Sequence, residues 1–332
     1  MITRRHALGA LLAAKAGAQQ PLIGEPAGRI APPEELINAA EFEAMARRKL
    51  DSLAFAEIAG SDRKAFDRIT FRPRLMVNTM NLDLSLDLFG DKMFAPILAG
   101  PAAMQQRYHP EGELATVSGA GAAKAAVVVS GRSSVPFEKI AAAAKTSLWF
   151  QVFPEPDASA RARDAIARGA KAICLTLGAD TNAADWSAID TVRKGLSVPF
   201  LLKGVMSPAD AKAAADRGVQ GIVVSSYRGR SANGMAATIE MLPAVADAVS
   251  GKIPILVDSG FTRGSDILKA LALGARAVVV TRPVLWGLAA HGSRGVQTVL
   301  ELIQTELARD MAMCGNPNLK SITKAVVRVH RW

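Results

Sequence analysis

Residues 199–226, PFLLKGVMSPADAKAAADRGVQGIVVSS, decide how the chain folds. An apolar run over 199–204 ends at Lys203-Gly204, a segment opened by Ser207-Pro208 is closed by Gly218, and a second apolar run starts at Gly221. Near-continuous apolar runs of this length read as strands buried on both faces. The segment between them, with Ser before it, Pro in its first turn and Gly past its end, reads as an amphipathic helix. The unit is strand, helix, strand, and it repeats in both directions. Apolar runs at 95–100, 125–130, 147–153, 172–178, 199–204, 221–226, 254–260 and 277–283 start 22 to 33 residues apart, and helical patterns occupy 157–169, 207–218 and 263–274 among the spacers. Eight such units predict an α/β fold, a (β/α)8 TIM barrel, with a doubly wound open sheet as the alternative. The domain reading is an export signal at 1–18, a linker and N-terminal helices at 19–60, the barrel at 61–315 and a C-terminal tail at 316–332.

Composition agrees with a large buried core. Half of the 332 residues are hydrophobic and 21% are charged, with a mean hydropathy of +0.18, which excludes a disordered or collagen-like chain. Two cysteines, Cys174 and Cys314, exclude a disulfide scaffold and a structural zinc site built from cysteine, and no metal centre is expected. The net charge of +10 comes from Lys and Arg that never form a run of five. Such a surface suits anionic ligands, and without a groove-binding motif or a basic stripe no nucleic-acid partner is expected.

The first eighteen residues have the parts of an export signal in order. Arg4 and Arg5 give a cationic start, 7–14 an apolar stretch too short to span a bilayer, and Ala16-Gly17-Ala18 a small-residue cleavage site. Thr3-Arg4-Arg5-His6-Ala7-Leu8 resembles a twin-arginine motif, which implies a periplasmic protein exported folded, with its cofactor already inserted. An ordinary N-terminal amphipathic helix is the alternative. No other stretch is apolar enough for a membrane span.

In a barrel of this kind function is built at the C-terminal strand ends. Those ends carry Pro101, Ala102, Ala103 and Met104, then Ser130-Gly131-Arg132, Gln151, Thr176-Leu177-Gly178, Lys203-Gly204, the run 225–230, Asp258-Ser259-Gly260 and Thr281-Arg282-Pro283. The seventh and eighth ends are rich in Gly, Ser and Thr and are each followed by an arginine. That is the place and the chemistry of the phosphate site this fold commonly carries.

Phe71-Arg72-Pro73-Arg74, 108–113 (YHPEGE), Leu202-Lys203-Gly204 and above all 266–287, DILKALALGARAVVVTRPVLWG, resemble the FMN-dependent α-hydroxy acid dehydrogenase and oxidase family. This family includes glycolate oxidase, lactate oxidase and L-lactate dehydrogenase, and the resemblance runs from about Leu50 to Gly315. It implies FMN as cofactor. Pro101, Ala102 and Ala103 then lie along the flavin ring, Ser130, Gln151 and Thr176 match polar positions at its edge, and Lys203 matches the lysine that stabilises negative charge on the reduced ring. Ser225 matches a ribityl contact, while Asp258, Gly260, Arg263, Thr281 and Arg282 match the ribityl and phosphate loops. Ser259 and Thr281 stand where the family commonly has Gly. The resemblance further implies homo-oligomers, since many relatives are tetramers.

The substrate side departs from the family. The base position, a histidine in a Ser-Asn-His-Gly-Gly-Arg type motif, is Tyr227 in SSYRGR (225–230), and the position of the aspartate that orients the base is Gly178. One active-site tyrosine of the family falls near Glu57 and the other on Phe153, and the first substrate arginine lies in a loop largely absent here. Arg230, the second carboxylate-binding arginine, persists. Tyr227 is either a phenolate base helped by Lys203 and Arg230 or a side chain filling the vacated pocket. The leading reading is an FMN oxidoreductase with an altered active site, acting on an anionic small molecule that is not a simple 2-hydroxy acid. Its rivals are a flavin-binding or structural barrel without turnover and a phosphate-ligand isomerase or lyase. These residues name neither the substrate nor the electron acceptor.

One expectation rests on the N-terminus alone. Changing both Arg4 and Arg5 to Lys keeps the charge but removes the arginine pair, so precursor should accumulate in the cytoplasm, as read by cell fractionation with a C-terminal tag. An undiminished periplasmic yield excludes a twin-arginine route.

Overall fold

The computed structural model describes residues 28–60, 63–178, 185–227 and 236–330. The chain divides into two units, Met1–Ala31 and Pro32–Trp332, and the described part of the second carries every element below. The export-signal reading falls on residues outside the described ones, as does Arg230.

Eight parallel strands close into a barrel. They are β4 (Ile97–Ala99), β5 (Ala126–Ser130), β6 (Leu148–Val152), β7 (Ile173–Thr176), β8 (Phe200–Val205), β9 (Gly221–Val224), β10 (Ile255–Val257) and β11 (Ala277–Val280), each paired in parallel with the next and β11 with β4. Closure excludes the doubly wound alternative. The strands are almost entirely buried, as the unbroken apolar runs require. Around them stand α4 (Glu113–Ala122), α5 (Phe137–Ala143), α6 (Ala158–Ala167), α7 (Trp186–Arg193), α8 (Pro208–Asp216), α9 (Thr238–Val249), α10 (Gly264–Ala272) and α11 (Arg282–Met313). Ser207 caps α8 as its sequence promised, its hydroxyl accepting from Asp210 N at 3.0 Å.

The eighth apolar run is shorter than its sequence suggested. It leaves the sheet at Val280, and Arg282 and Pro283 open α11, because Pro is well suited to a first helical turn and can donate nothing to a ladder. α11 itself breaks at His291 and Gly292, where Gly292 adopts φ +57° and any Cβ would sit 2.8 Å from His109 Nε2. His109 is therefore a packing residue against that break.

Before the barrel come α1 (Ala39–Lys49), α2 (Ser52–Ile58) and α3 (Lys64–Asp67). Asn38 and Asp51 cap the first two, with Asp51 Oδ1 accepting from Leu53 N at 2.9 Å and Ala54 N at 2.8 Å. Trp286 Nε1 donates to Ile58 O at 2.8 Å, so the end of α2 is fastened to the start of α11. A hairpin of β2 (Leu86–Leu88) and β3 (Asp91–Met93) packs Leu86, Leu88 and Met93 on Leu98, Trp149, Leu201 and Leu256 and seals the N-terminal end of the barrel. The segment read as a tail is part of the same unit: β12 (Val327–Val329) pairs antiparallel with β1 (Ile69–Phe71). Cys174 and Cys314 are free and buried, and burial pushes the Cys174 thiol up to about 12. Among the described residues, no helix is long and apolar enough to cross a membrane.

The ladder between β8 and β9 shifts register between Lys203 and Val205, so Gly204 bulges out of it. Gly204 has φ +105°, and a Cβ there would lie 2.3 Å from Leu177 O. Gly204→Ala should therefore cost at least about 1–3 kcal/mol of stability, read as a lowered denaturation midpoint. An unchanged midpoint would mean that the bulge tolerates a side chain.

Candidate active site

The C-terminal strand ends enclose a cavity of about 470 Å³. Parallel strands deliver their last side chains to one rim, so residues distant in sequence meet there. The most tightly held is Lys203 at the end of β8, only 4% exposed. Its Nζ lies 2.7 Å from Asp258 Oδ2, just past β10, and donates to Ser225 Oγ, just past β9, at 2.8 Å. A buried ammonium is costly unless it is paired and hydrogen-bonded, and both conditions are met here. Ser225 Oγ also accepts from Tyr227 N at 3.2 Å, which ties the backbone of the base position to the same network.

Of the residues read as cofactor-binding, Pro101, Ala102, Ala103, Ser130, Gln151, Lys203, Ser225, Asp258, Gly260, Thr281 and Arg282 line the cavity. Thr176 and Arg263 do not. Thr176 stands behind Gln151, whose Nε2 donates to its Oγ1 at 2.7 Å, and so orients the amide rather than facing the cavity. Arg263 turns to Glu306 on α11, with Nε 2.8 and 2.9 Å from the two carboxylate oxygens. The partner that draws it away lies 43 residues further along the chain, so nothing in the local motif announces it.

Of the two helix starts at this side of the cavity, one is already occupied by carboxylates. At α10, Asp266 accepts from Thr262 N and Arg263 N, each at 2.9 Å, and Glu306 accepts from Gly264 N at 2.8 Å. Two carboxylates therefore take the place an anion would want. At α11 Thr281 makes no side-chain cap, and Thr281 and Arg282 line the cavity beside Ser259 and Gly260. A helix start without a carboxylate, next to an arginine and two hydroxyls, suits a phosphate. Ser259 holds φ +73° and Gly260 φ +93°. Serine is strained in that left-handed conformation, and its Oγ partly compensates by donating to Asp258 Oδ1 at 2.8 Å. Thr281 has an ordinary φ of −108°, and its hydroxyl fills the space over Gly100, where a Cβ would lie 2.0 Å from Oγ1. Strand-end amides and hydroxyls, a buried lysine and this phosphate end fit an FMN molecule.

The other side of the cavity is aromatic and ionic. Tyr227 and Phe153 line it with ring centroids 6.2 Å apart. Burial pushes the Tyr227 phenol above its usual 10, and the nearby Arg132 charge opposes this only in part. Lys203 was expected to lower that pKa; instead its Nζ lies 5.2 Å from the ring centroid, against the ring. Glu57, from α2, closes the mouth: it pairs with Arg107 at 2.7 Å and accepts from Tyr108 OH at 2.9 Å. Among the described residues, no histidine lines the cavity. Ser226 and Met104, read at strand ends without a role, also line it, as do Arg107 and Tyr108, which were not read as site residues. For Arg107 and Tyr108 a signal existed, since they follow the first strand end within a few residues. The loops are held from behind by buried Glu113, which accepts from Gln105 N at 3.2 Å and Ser134 N at 2.9 Å.

Comparisons with known proteins meet this geometry. The family model described as FMN-dependent dehydrogenase matches residues 41–183 and 178–329. Glycolate oxidase of Spinacia oleracea is 32% identical, with 88% of this chain and 95% of the relative covered. L-lactate oxidase of Nostoc sp. is also 32% identical, covering 86% and 96%. A crystal structure of mandelate oxidase superposes with a TM-score of 0.83 at 32% identity, covering 89% of this chain and all of the other. With the family model, the relatives and the closed barrel all matching over nearly the whole length, the chain belongs to the FMN-dependent dehydrogenase family and is an FMN-dependent oxidoreductase.

Proposed function

We propose that this protein is a hydroxy acid oxidase-like flavoprotein whose substrate chemistry has moved away from simple 2-hydroxy acids, and that it acts on an anionic small molecule. The observation that carries this reading is the split within one cavity. The wall formed by Lys203, Asp258, Ser225, Gln151 and Ser130 keeps a polar set suited to the flavin, while the base position is a neutral phenol packed against Phe153. FMN supplies the two-electron acceptor when bound. The chain supplies the rest: Lys203 fixes positive charge in the cavity wall, Gln151 is aimed by Thr176, and Thr281, Arg282 and Gly260 would hold the phosphate. Oxidation of an alcohol carbon also needs a group that takes a proton, and a phenol whose pKa lies above 10 is protonated at neutral pH. Arg230 and the positive balance of the chain favour an anion. The arginine pair at the N-terminus supports export to the periplasm, and assembly with copies of itself is part of the same proposal.

The lysine generates the first expectation. Lys203→Met leaves Asp258 as a buried uncompensated charge, so stability should fall by about 3–5 kcal/mol and be largely restored when Asp258→Asn is added. In the same protein the flavin midpoint potential should drop by about 30 mV or more, a tenfold change in a two-electron equilibrium. A potential equal to that of the wild type would place Lys203 away from the flavin.

The phenol generates the second. Anaerobic mixing with glycolate, lactate or mandelate should bleach the flavin band slowly at pH 7. Because the base form of Tyr227 gains tenfold per pH unit below its pKa, any bleaching should rise with pH and show no plateau below about pH 10. Fast bleaching at pH 7 would show a competent base in the cavity and overturn the altered chemistry. Dithionite as the sole effective reductant would leave the flavin-binding part standing and remove turnover of these acids.

A further inference from the structure

Beside Phe153, and outside the set of residues that line the cavity, stands a cation that the cofactor wall does not use. The backbone of Arg132 is fixed at two cavity-lining residues: its N donates to Ser130 Oγ at 3.1 Å, and its O accepts from Met104 N at 3.0 Å. Its guanidinium carbon lies 3.9 Å from the centroid of the Phe153 ring, one ring away from Tyr227. Planar cation on aromatic face is a favourable stack that holds the charge in place without consuming its hydrogen-bond donors. Its Nη2 contacts Glu155 at 2.6 Å, but that carboxylate is shared with Arg161 at 3.2 Å, and Arg132 and Glu155 are 40% and 35% exposed. Partly exposed pairs of this kind are weak, so an incoming anion can replace Glu155 at little cost.

We infer that Arg132 is a carboxylate-binding residue of the substrate site, presented from the end of β5 by its stack on Phe153 and released to the substrate by exchange with Glu155. This deepens the reading of the cavity as a site for an anionic small molecule, and it rests on that reading. Arg132 also opposes the upward push of burial on the Tyr227 phenol, so its charge is felt at the base position. A guanidinium that can offer two parallel donors to a carboxylate suits an acid whose other end reaches Tyr227.

The test is calorimetric titration of the FMN-loaded protein with oxalate, with neutral oxamide as the control. Arg132→Met should weaken oxalate binding by about tenfold or more and Arg132→Lys by less, since lysine keeps the charge but loses the fork. Glu155→Gln should tighten it, because the competing carboxylate is gone. With only two tyrosines in the chain, ultraviolet titration gives a second readout: Arg132→Met should raise the phenol attributed to Tyr227, identified by its loss in Tyr227→Phe. Oxalate affinity indifferent to residue 132, or a wild type that ignores oxalate as it ignores oxamide, overturns the inference. FMN uptake is scored separately from visible absorbance, so colourless protein marks a failure of the cofactor reading, whereas yellow protein with an unchanged oxalate affinity marks a failure of this one.

Discussion

A lysine ammonium cannot be taken out of water at the end of a barrel strand without a partner, and much of the rim follows from that requirement. Lys203 is buried, so Asp258 and Ser225 must both reach it, and they come from the two strand ends that follow β8 in the barrel. Bringing Asp258 to this position involves the turn after β10, where Ser259 enters the left-handed region and its hydroxyl bonds the same carboxylate. Thr238 on α9 adds a further tie, its Oγ1 donating to Asp258 O at 2.6 Å. The lysine is thus the centre of a net that joins three strands, one turn and one helix. The Lys203–Asp258 pair is a preorganised dipole in the wall, and its positive end needs no reorganisation when negative charge develops beside it.

The carboxylates at α10 do the complementary work. Asp266 accepts from Thr262 N and Arg263 N and receives both Nη atoms of Arg63 at 2.7 Å, while Glu306 takes Gly264 N and the Arg263 side chain. Anions at a helix start are stabilising, but each also denies that start to a ligand. With α10 satisfied internally, the neighbouring start of α11 is the one left without a carboxylate, as the proposed phosphate position requires. Arg282 and the hydroxyl of Thr281 are there, and Arg282 Nη1 donates to the carbonyl of Gly60. The segment before the barrel therefore has a part in placing the Arg282 side chain.

Strand number, order and most boundaries were legible because a strand buried on both faces has one signature, an apolar run, that needs no knowledge of its partners. The same is true of Lys203, Gln151 and Asp258, which sit at the ends of such runs and so could be placed in the cavity from position alone. What was not legible depends on partners far away in the chain. Arg263 reads as a phosphate ligand until Glu306 is seen beside it, and Thr176 reads as a cavity residue until Gln151 is seen in front of it. The hairpin over 86–93 is too short for periodicity to reveal, although its apolar side chains close the barrel floor. The last residues read as a tail because an edge pairing of three residues, Ile69 to Phe71 with Val327 to Val329, leaves no local pattern.

The pKa of Tyr227 depends on the balance between burial and charge. A phenol in this position gains from nearby cations, and two are close, yet they do not act alike. Lys203 spends its charge on Asp258, so what it offers the ring is a cation whose field is largely cancelled by a carboxylate at 2.7 Å. Arg132, partly exposed and paired with a carboxylate that Arg161 shares, is the one that opposes the rise of the phenol. Burial still wins, because desolvating a phenolate costs more than one half-exposed cation returns. Moving the phenol into the neutral range would need an uncompensated cation on the buried side, and the pairing that allows Lys203 to be buried there is what keeps it from serving as one.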